Sequence, residues 1–278
     1  MAPESASLFD GDGCISSVTE RKGSQIRRRR RLGQHLLKDS EILDRIVEAA
    51  GAMNDAIVFE IGTGEGDLTA RLCRQAYQVI STEIDRSLFE LTAMRLRGYQ
   101  NLELVPRDGF AVDRYFDVVV SNIPYSKSRR FIEWLVEKRP KRAVVTVQKE
   151  FGNKILAKPG SRQYRPVSVL ARIFFQIDPL FDVKREAFDP PPHVDSTVLL
   201  FQSIRTKPVD RRVVTVLKTL FSFRGKQVSS AMKHLLKGEV EFRHFQESYG
   251  EAVMWKRVEC LSVEEAMRLA ECLARFSA

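Results

Sequence analysis

Cysteine is scarce in this chain: Cys14, Cys73, Cys260 and Cys272 stand too far apart for a disulfide framework or a close metal cluster. That usage fits a reducing compartment, and no metal site is expected. No apolar run reaches the ~18 to 20 residues of a membrane helix, and the first residues lack the apolar core of a secretory signal. The expectation is a soluble, cytoplasmic protein with no membrane partner. Acidic residues are in deficit, 36 against 45 Lys plus Arg, which gives a formal charge of +9. With 44% apolar residues, this balance excludes wholesale disorder and points to a polyanionic partner. No tandem repeat is present. The 278 residues suffice for a catalytic domain and a smaller companion.

The positive charge is concentrated. Residues 1–24 show no sustained periodicity and read as a flexible tail. Arg21, Lys22 and the run Arg27 to Arg31 then place seven cations within eleven residues. A solvated basic tail is one reading. Contact with RNA phosphates is the favoured one, supplying affinity rather than sequence choice.

From Asp39 onward the pattern is that of an α/β domain. Asp39 or Ser40 can cap a helix whose apolar positions Ile42, Leu43, Ile46, Val47 and Ala50 fall three or four apart, ended by Gly51. Strands are expected at 56–60, 78–83, 102–106, 116–121 and 142–148, with helices at 68–74, 87–96 and 129–137. Such alternation implies a largely parallel sheet covered on both faces, with ligand groups at the carboxyl ends of its strands. Further on, 166–176 reads as a helix and 196–201 as a closing strand, an antiparallel edge being one option. Asp189-Pro190-Pro191-Pro192 cannot lie inside a regular element, because three consecutive residues lack a backbone donor. Helices at 213–221, 228–236 and 263–276, the last capped by Ser262 with Glu265 three residues on, define a helical domain at 206–278 after a catalytic domain at 25–205.

Chemistry-bearing residues gather at the expected strand ends. Gly62, Gly64 and Gly66 follow the first strand of the alternation, a spacing that brings backbone close to a ligand. Nicotinamide, flavin and S-adenosylmethionine sites all suit it, as does tight strand-to-helix packing alone. Glu83, closing the second strand, is the acid a ribose diol needs. Glu65 would set a negative side chain where a pyrophosphate would lie, which favours a cofactor without phosphates. Asp108 can accept from an adenine amine or simply close an Asx turn before Gly109. Phe110 can cover an adenine or belong to the core, and Asp85 reads as a helix cap. Asn122-Ile123-Pro124-Tyr125 is the most particular segment. The Asn122 amide oxygen and the Pro124 carbonyl can both accept from one exocyclic amine while Tyr125 stacks on the attached base. Two acceptors aimed at an adenine amine would direct its otherwise conjugated lone pair toward an incoming methyl group.

With these segments in order, the chain from about Ser24 to its C-terminus resembles the small-subunit ribosomal RNA adenine dimethyltransferases, with the erythromycin-resistance RNA methyltransferases as near relatives. The matching residues are the Gly33 to Leu37 segment, the Glu60 to Gly66 turn, Glu83 with Asp85, Asp108, Asn122 to Tyr125, Gln148 to Glu150, Pro159 to Ser161, Pro190 to Ser196, Leu220 to Arg224 and Leu261 to Glu265. The resemblance implies a Rossmann-like class I methyltransferase fold with a small C-terminal helical domain. It also implies S-adenosyl-L-methionine as cofactor, with His35 and Leu37 at its methionine end, mainly through backbone or a small polar reach, Gly62 and Gly64 admitting it, Glu83 on its ribose and Asp108 on its adenine. Asn122 then stands between sulfonium and target amine, and Phe188 is the second stacking aromatic, opposite Tyr125. From composition alone, Phe188 reads equally as a core residue.

The chain departs from that family after Tyr125, where Ser126, Lys127, Ser128, Arg129 and Arg130 replace an apolar residue, small hydroxyl residues and proline. Asp108 is followed by Gly109 instead of alanine, and Gly225 interrupts the basic pair after Phe223. None of these removes a group the chemistry needs. The expected activity is transfer of methyl groups from S-adenosylmethionine to the exocyclic amine of adenines in small-subunit ribosomal RNA, dimethylating two adjacent adenosines during ribosome biogenesis, by a monomer acting on RNA or on an immature small ribosomal particle. A large-subunit RNA methyltransferase and a non-catalytic RNA-binding assembly or transcription factor on the same fold are the alternatives.

Overall fold

The computed structural model describes residues 35–51, 53–205, 209–236, 242–243 and 251–276. The tail expected at 1–24 and the Arg27 to Arg31 run lie outside the described residues.

The elements follow in the order β1 (Leu36–Leu37), α1 (Ser40–Ala49), β2 (Ile57–Ile61), α2 (Asp67–Gln75), β3 (Gln78–Thr82), α3 (Arg86–Arg95), β4 (Leu102–Val105) and β5 (Val118–Asn122). After them come α4 (Ser128–Lys138), β6 (Arg142–Gln148), α5 (Lys149–Leu156), α6 (Pro166–Phe174), β7 (Phe175–Val183), β8 (Phe188–Asp189) and β9 (Ser196–Ser203). The C-terminal part contributes α7 (Arg211–Ser222), α8 (Val228–Leu235) and α9 (Val263–Phe276), and residues 251–255 are also helical. Seven strands form one sheet in the order β4-β3-β2-β5-β6-β9-β7, parallel from β4 to β6, with β9 antiparallel to both of its neighbours. A two-stranded antiparallel pair joins β1 to β8.

The period of two explains why the sheet is buried on both faces. Val58, Val118, Val120, Val144 and Val198 pack on one side with Leu43, Ile46, Val47, Leu68 and Leu72 of α1 and α2. Their chain neighbours Phe59, Val119, Val145 and Leu199 pack on the other with Phe131 and Leu135 of α4 and Val169 of α6. Leu217, Leu220, Phe221, Met232 and Leu269 of the C-terminal helices belong to that second core. Tyr164, fully buried, donates its hydroxyl to the Leu261 carbonyl at 3.1 Å and ties the two regions further.

Caps read from sequence do their work: Asp39 accepts from Ile42 N, Asp85 from Ser87 N and Leu88 N, and Ser262 exchanges hydrogen bonds with Glu265. Two expectations need correction, and one helix, α5, was not expected. The helix expected at 166–176 ends at Phe174, and the next residue opens β7, a strand hidden by Pro179. Proline is tolerated there because β7 is the sheet edge and its register shifts between Pro179 and Phe181. β9 is antiparallel but interior, between β6 and β7. Helix α5 begins directly after β6 and contains Gly152, where a Cβ would lie 2.4 Å from Thr197 Cγ2; close packing on β9 requires the residue that weakens the helical pattern.

Candidate active site

The carboxyl ends of β2, β3 and β5 converge on one cavity, walled by Gly62, Gly64, Glu83, Asp108, Asn122, Pro124 and His35. Every one of these is a residue singled out from sequence. The turn after β2 is built on Gly62 at φ 84° and Gly64 at φ 59°, in the left-handed region where a Cβ is strained. A Cβ at Gly62 would meet nothing within 4 Å, and at Gly64 it would press within 2.8 Å of Leu36 Cδ2. The Gly62 position is thus an open cradle beside backbone.

Glu83 is 5% exposed and held by two backbone donors, Gly64 N and Asp85 N, each at 2.9 Å. Burial pushes its carboxyl above the usual range, against the opposing pull of backbone N–H groups of Asp85, Gly64 and Ile84. Each oxygen keeps acceptor capacity, as a pair of ribose hydroxyls would require. Beneath it, Glu60 accepts from the hydroxyls of Thr69 and Ser81, both at 2.6 Å. Burial raises Glu60 to about 8, opposed by those hydroxyls. It is a structural acid under the turn.

Asp108 closes the turn read from the sequence and stands at the cavity. Its Oδ1 accepts from Phe110 N at 3.1 Å, closing the turn, while the residue also lines the cavity. Its Oδ2 pairs with Arg130 Nη1 at 2.7 Å, and the guanidinium carbon sits 4.6 Å from the Phe110 ring centroid. Phe110 in turn meets Trp134 edge-on at 5.9 Å, so it is both cavity wall and core. Gly109 is required by the close approach of β3: a Cβ would fall 2.5 Å from Thr82 Oγ1.

Asn122, the last residue of β5, donates its Nδ2–H to the His35 carbonyl at 3.0 Å. That commitment leaves the amide oxygen as the group available to an incoming amine. The Pro124 carbonyl takes Lys127 N at 2.8 Å and retains a second lone pair. The Tyr125 hydroxyl meets Ser196 Oγ at 2.7 Å, and burial raises its pKa. His35 stacks on the Tyr125 ring at 5.4 Å and 28°, its Nδ1 2.7 Å from the Pro190 carbonyl.

Two of the predicted residues, Leu37 and Phe188, direct their side chains into the core. Leu37 packs in the core, and its neighbour Leu36 takes the cavity wall, because adjacent residues of β1 point to opposite faces. Phe188, 3% exposed, pairs with Leu37 across β1 and β8 and packs with Val183 and Val198, so the ring against Tyr125 is that of His35. Sequence reasoning missed Leu36, Ile84 and the pairing of Arg130. Ile84 is 70% exposed at the cavity wall beside Glu83. An isoleucine one residue beyond a strand end, where no core remains to receive it, was the available signal.

A parallel sheet with one reversed strand, β9, inserted between β6 and β7, a glycine turn after β2 and an acid at the end of β3 define the class: a Rossmann-like class I methyltransferase with a C-terminal helical extension. The particular family follows from comparison. The profile of the family described as ribosomal RNA adenine dimethylase matches residues 25–275, and the chain belongs to that family. It is 36% identical over 265 residues to the ribosomal RNA small subunit methyltransferase A of Thermotoga maritima, covering 94% of this chain and 91% of that protein. A probable ribosomal RNA small subunit methyltransferase A of Methanopyrus kandleri is 40% identical over 213 residues, with 74% and 77% covered. In three dimensions the chain is similar to a dimethyladenosine transferase from Plasmodium falciparum, with TM-score 0.75, 29% identity and 84% and 96% coverage. The 23S rRNA methyltransferase ErmE superposes at TM-score 0.63 with 25% identity, covering 86% of this chain and 99% of that one.

Proposed function

We propose that this protein uses S-adenosyl-L-methionine to dimethylate the exocyclic amine of two adjacent adenosines in small-subunit ribosomal RNA during ribosome biogenesis. The observation that carries the reading is Asn122, its amide nitrogen tied to the His35 carbonyl and its oxygen left for an amine, at the mouth of a cavity lined by Glu83 and Asp108. The residues fit the cofactor on their own chemistry. Gly62 leaves room where a side chain would intrude, Glu83 can accept from two ribose hydroxyls, and Asp108 beside Phe110 suits an adenine edge and face. When bound, S-adenosylmethionine supplies a methyl group already activated on a sulfonium.

The protein's own groups then orient and bind. Asn122 and the Pro124 carbonyl accept from the target amine, which favours a lone pair directed at the methyl carbon. Tyr125, anchored through Ser196, offers a ring for the target base once His35 yields that face. No activated serine or cysteine is needed for the attack, and the proton that the amine sheds on methylation passes to solvent.

Product mapping on unmethylated small-subunit particles and on naked RNA tests the proposal. Two dimethyladenosines at neighbouring positions are expected. Methylation of large-subunit RNA alone would give the function to the second reading, which the similarity to ErmE favours. Unmodified RNA with demonstrated cofactor binding would leave only an assembly role.

A further inference from the structure

The three cations of the loop after Tyr125 diverge in space. Lys127 lines the cofactor cavity and Arg130 pairs with Asp108, whereas Arg129 turns to a separate cavity of about 250 Å³ that shares no residue with the first. This second cavity is lined by the first turns of three helices. Arg129 is the second residue of α4, Phe151 the third of α5, and Pro166 and Val167 the first two of α6. Helices α4 and α5 both start near the carboxyl edge of the parallel strands, the edge that carries Asn122.

The wall charge is strongly unbalanced. Arg129, Lys154, Arg165 and Lys218 face one acid, Glu133, which pairs with Lys218 at 2.7 Å and with Arg129 at 3.6 Å. Lys154 pairs with Glu150, outside the wall, at 2.9 Å. Arg165 meets no carboxylate among the described residues. Its Nη1 donates to the carbonyls of Arg162 at 2.6 Å and Tyr164 at 3.1 Å, which fix the guanidinium without neutralising it. Buried Ser168 locks the arrangement: its hydroxyl donates to the Lys154 carbonyl and accepts Arg165 N at 3.0 Å. Between the cations lie the half-buried Phe151 and Pro166.

We propose that this groove holds a nucleotide flanking the target adenine, its phosphate on Arg165, Lys154 and Lys218 and its base against Phe151. The cations supply the charge complement of a phosphate, and an aromatic face beside them suits a base of any sequence. Arg129 lies four residues past Tyr125, about one helical turn, a separation that a neighbouring nucleotide can span. The inference rests on the RNA methyltransferase reading above and adds a second nucleotide position to that site.

The test measures binding without turnover, so it fails or succeeds independently of methylation. An unmethylated small-subunit ribosomal RNA fragment is titrated by filter binding across a salt series against wild type, the K154A/R165A double variant and F151A. S-adenosylmethionine binding should be unchanged in all three, reporting an intact fold. The double variant should flatten the slope of log affinity against log salt by about 0.7, the share of one single-stranded phosphate. F151A should weaken RNA binding about fivefold or more while keeping the wild-type slope. Wild-type affinity and slope in both variants would overturn the proposal. So would a loss seen only with the assembled particle and not with naked RNA, which would assign the groove to a ribosomal protein.

Discussion

The backbone carbonyl of His35 accepts the side-chain N–H of Asn122 at 3.0 Å, joining the segment before α1 to the end of β5. The hydrogen bond decides which end of the Asn122 amide meets substrate. Asn122→Ala should lower single-turnover methyl transfer by about 2 to 4 kcal/mol of barrier at saturating RNA and cofactor, with smaller effects on either affinity. Asn122→Asp should do more, since a carboxylate cannot donate to the His35 carbonyl and would repel it. Transfer at the original rate in Asn122→Ala would reduce the residue to a turn element.

Glu83 is the residue whose loss should fall on cofactor affinity alone. Its two backbone donors hold it at the cavity, and its expected partners belong to the cofactor and not to RNA. Glu83→Ala should weaken S-adenosylmethionine binding by about 1.5 to 3 kcal/mol, the scale of a charge-assisted hydrogen bond. Because burial raises its pKa, wild-type cofactor affinity should also decline as pH falls into the acid range, and the variant should lose that dependence. Calorimetric titration at several pH values checks both expectations.

The parallel half of the fold was legible because β2, β3, β5 and β6 carry buried runs, and because Asp39, Gly66 and Asp85 mark the starts of α1, α2 and α3. The site was legible for the same reason: Glu83, Asp108 and Asn122 all end or follow strands of one sheet, so topology alone brings them together. What escaped was non-local. Nothing in the sequence near Pro179 announces an edge strand, and Gly152 weakens a helix for the sake of Thr197 on another strand. Leu36 and Leu37 differ only in register, which the pairing of β1 with β8 sets across more than 150 residues of chain. Arg130 was visible as a charge, but its partner Asp108 lies 22 residues away.

That Arg130 pair makes its own prediction. The guanidinium holds Asp108 Oδ2 and lies over Phe110, so it braces the wall expected to meet adenine. Arg130→Ala should raise KM for S-adenosylmethionine by about 1 kcal/mol with kcat little changed, a modest value because the pair is half exposed. Arg130→Lys should restore part of it, supplying charge without the flat face. A fall in kcat at constant KM would place Arg130 on the RNA instead.

Tyr125 separates ring from hydroxyl. The O–H is anchored on the fully buried Ser196, so Tyr125→Phe leaves a buried hydroxyl without its partner and should cost about 1 kcal/mol of stability. Tyr125→Ala should additionally weaken activity by about 1 to 3 kcal/mol through loss of the stacking face. Thermal melts and single-turnover rates on both variants distinguish the two contributions. Equal activity in the two would deny the ring its role.

Glu60 offers a test of the folded state itself. Its carboxyl is buried beneath the glycine turn with a pKa raised to about 8 from an ordinary 4.5. Between those values the folded protein holds a proton that the unfolded chain has released, so this group makes stability fall as pH rises. The slope from one proton is at most about 1.4 kcal/mol per pH unit. Glu83, also raised, acts in the same direction, whereas Asp117, held below its ordinary value, loses its contribution only in acid. Glu60→Gln keeps an oxygen for the Ser81 and Thr69 hydroxyls and cannot ionise, so the variant should gain on wild type steadily from pH 5 to 8. Urea unfolding at both ends of that window measures the difference. Parallel profiles for the two proteins would mean that Glu60 carries its charge inside the fold.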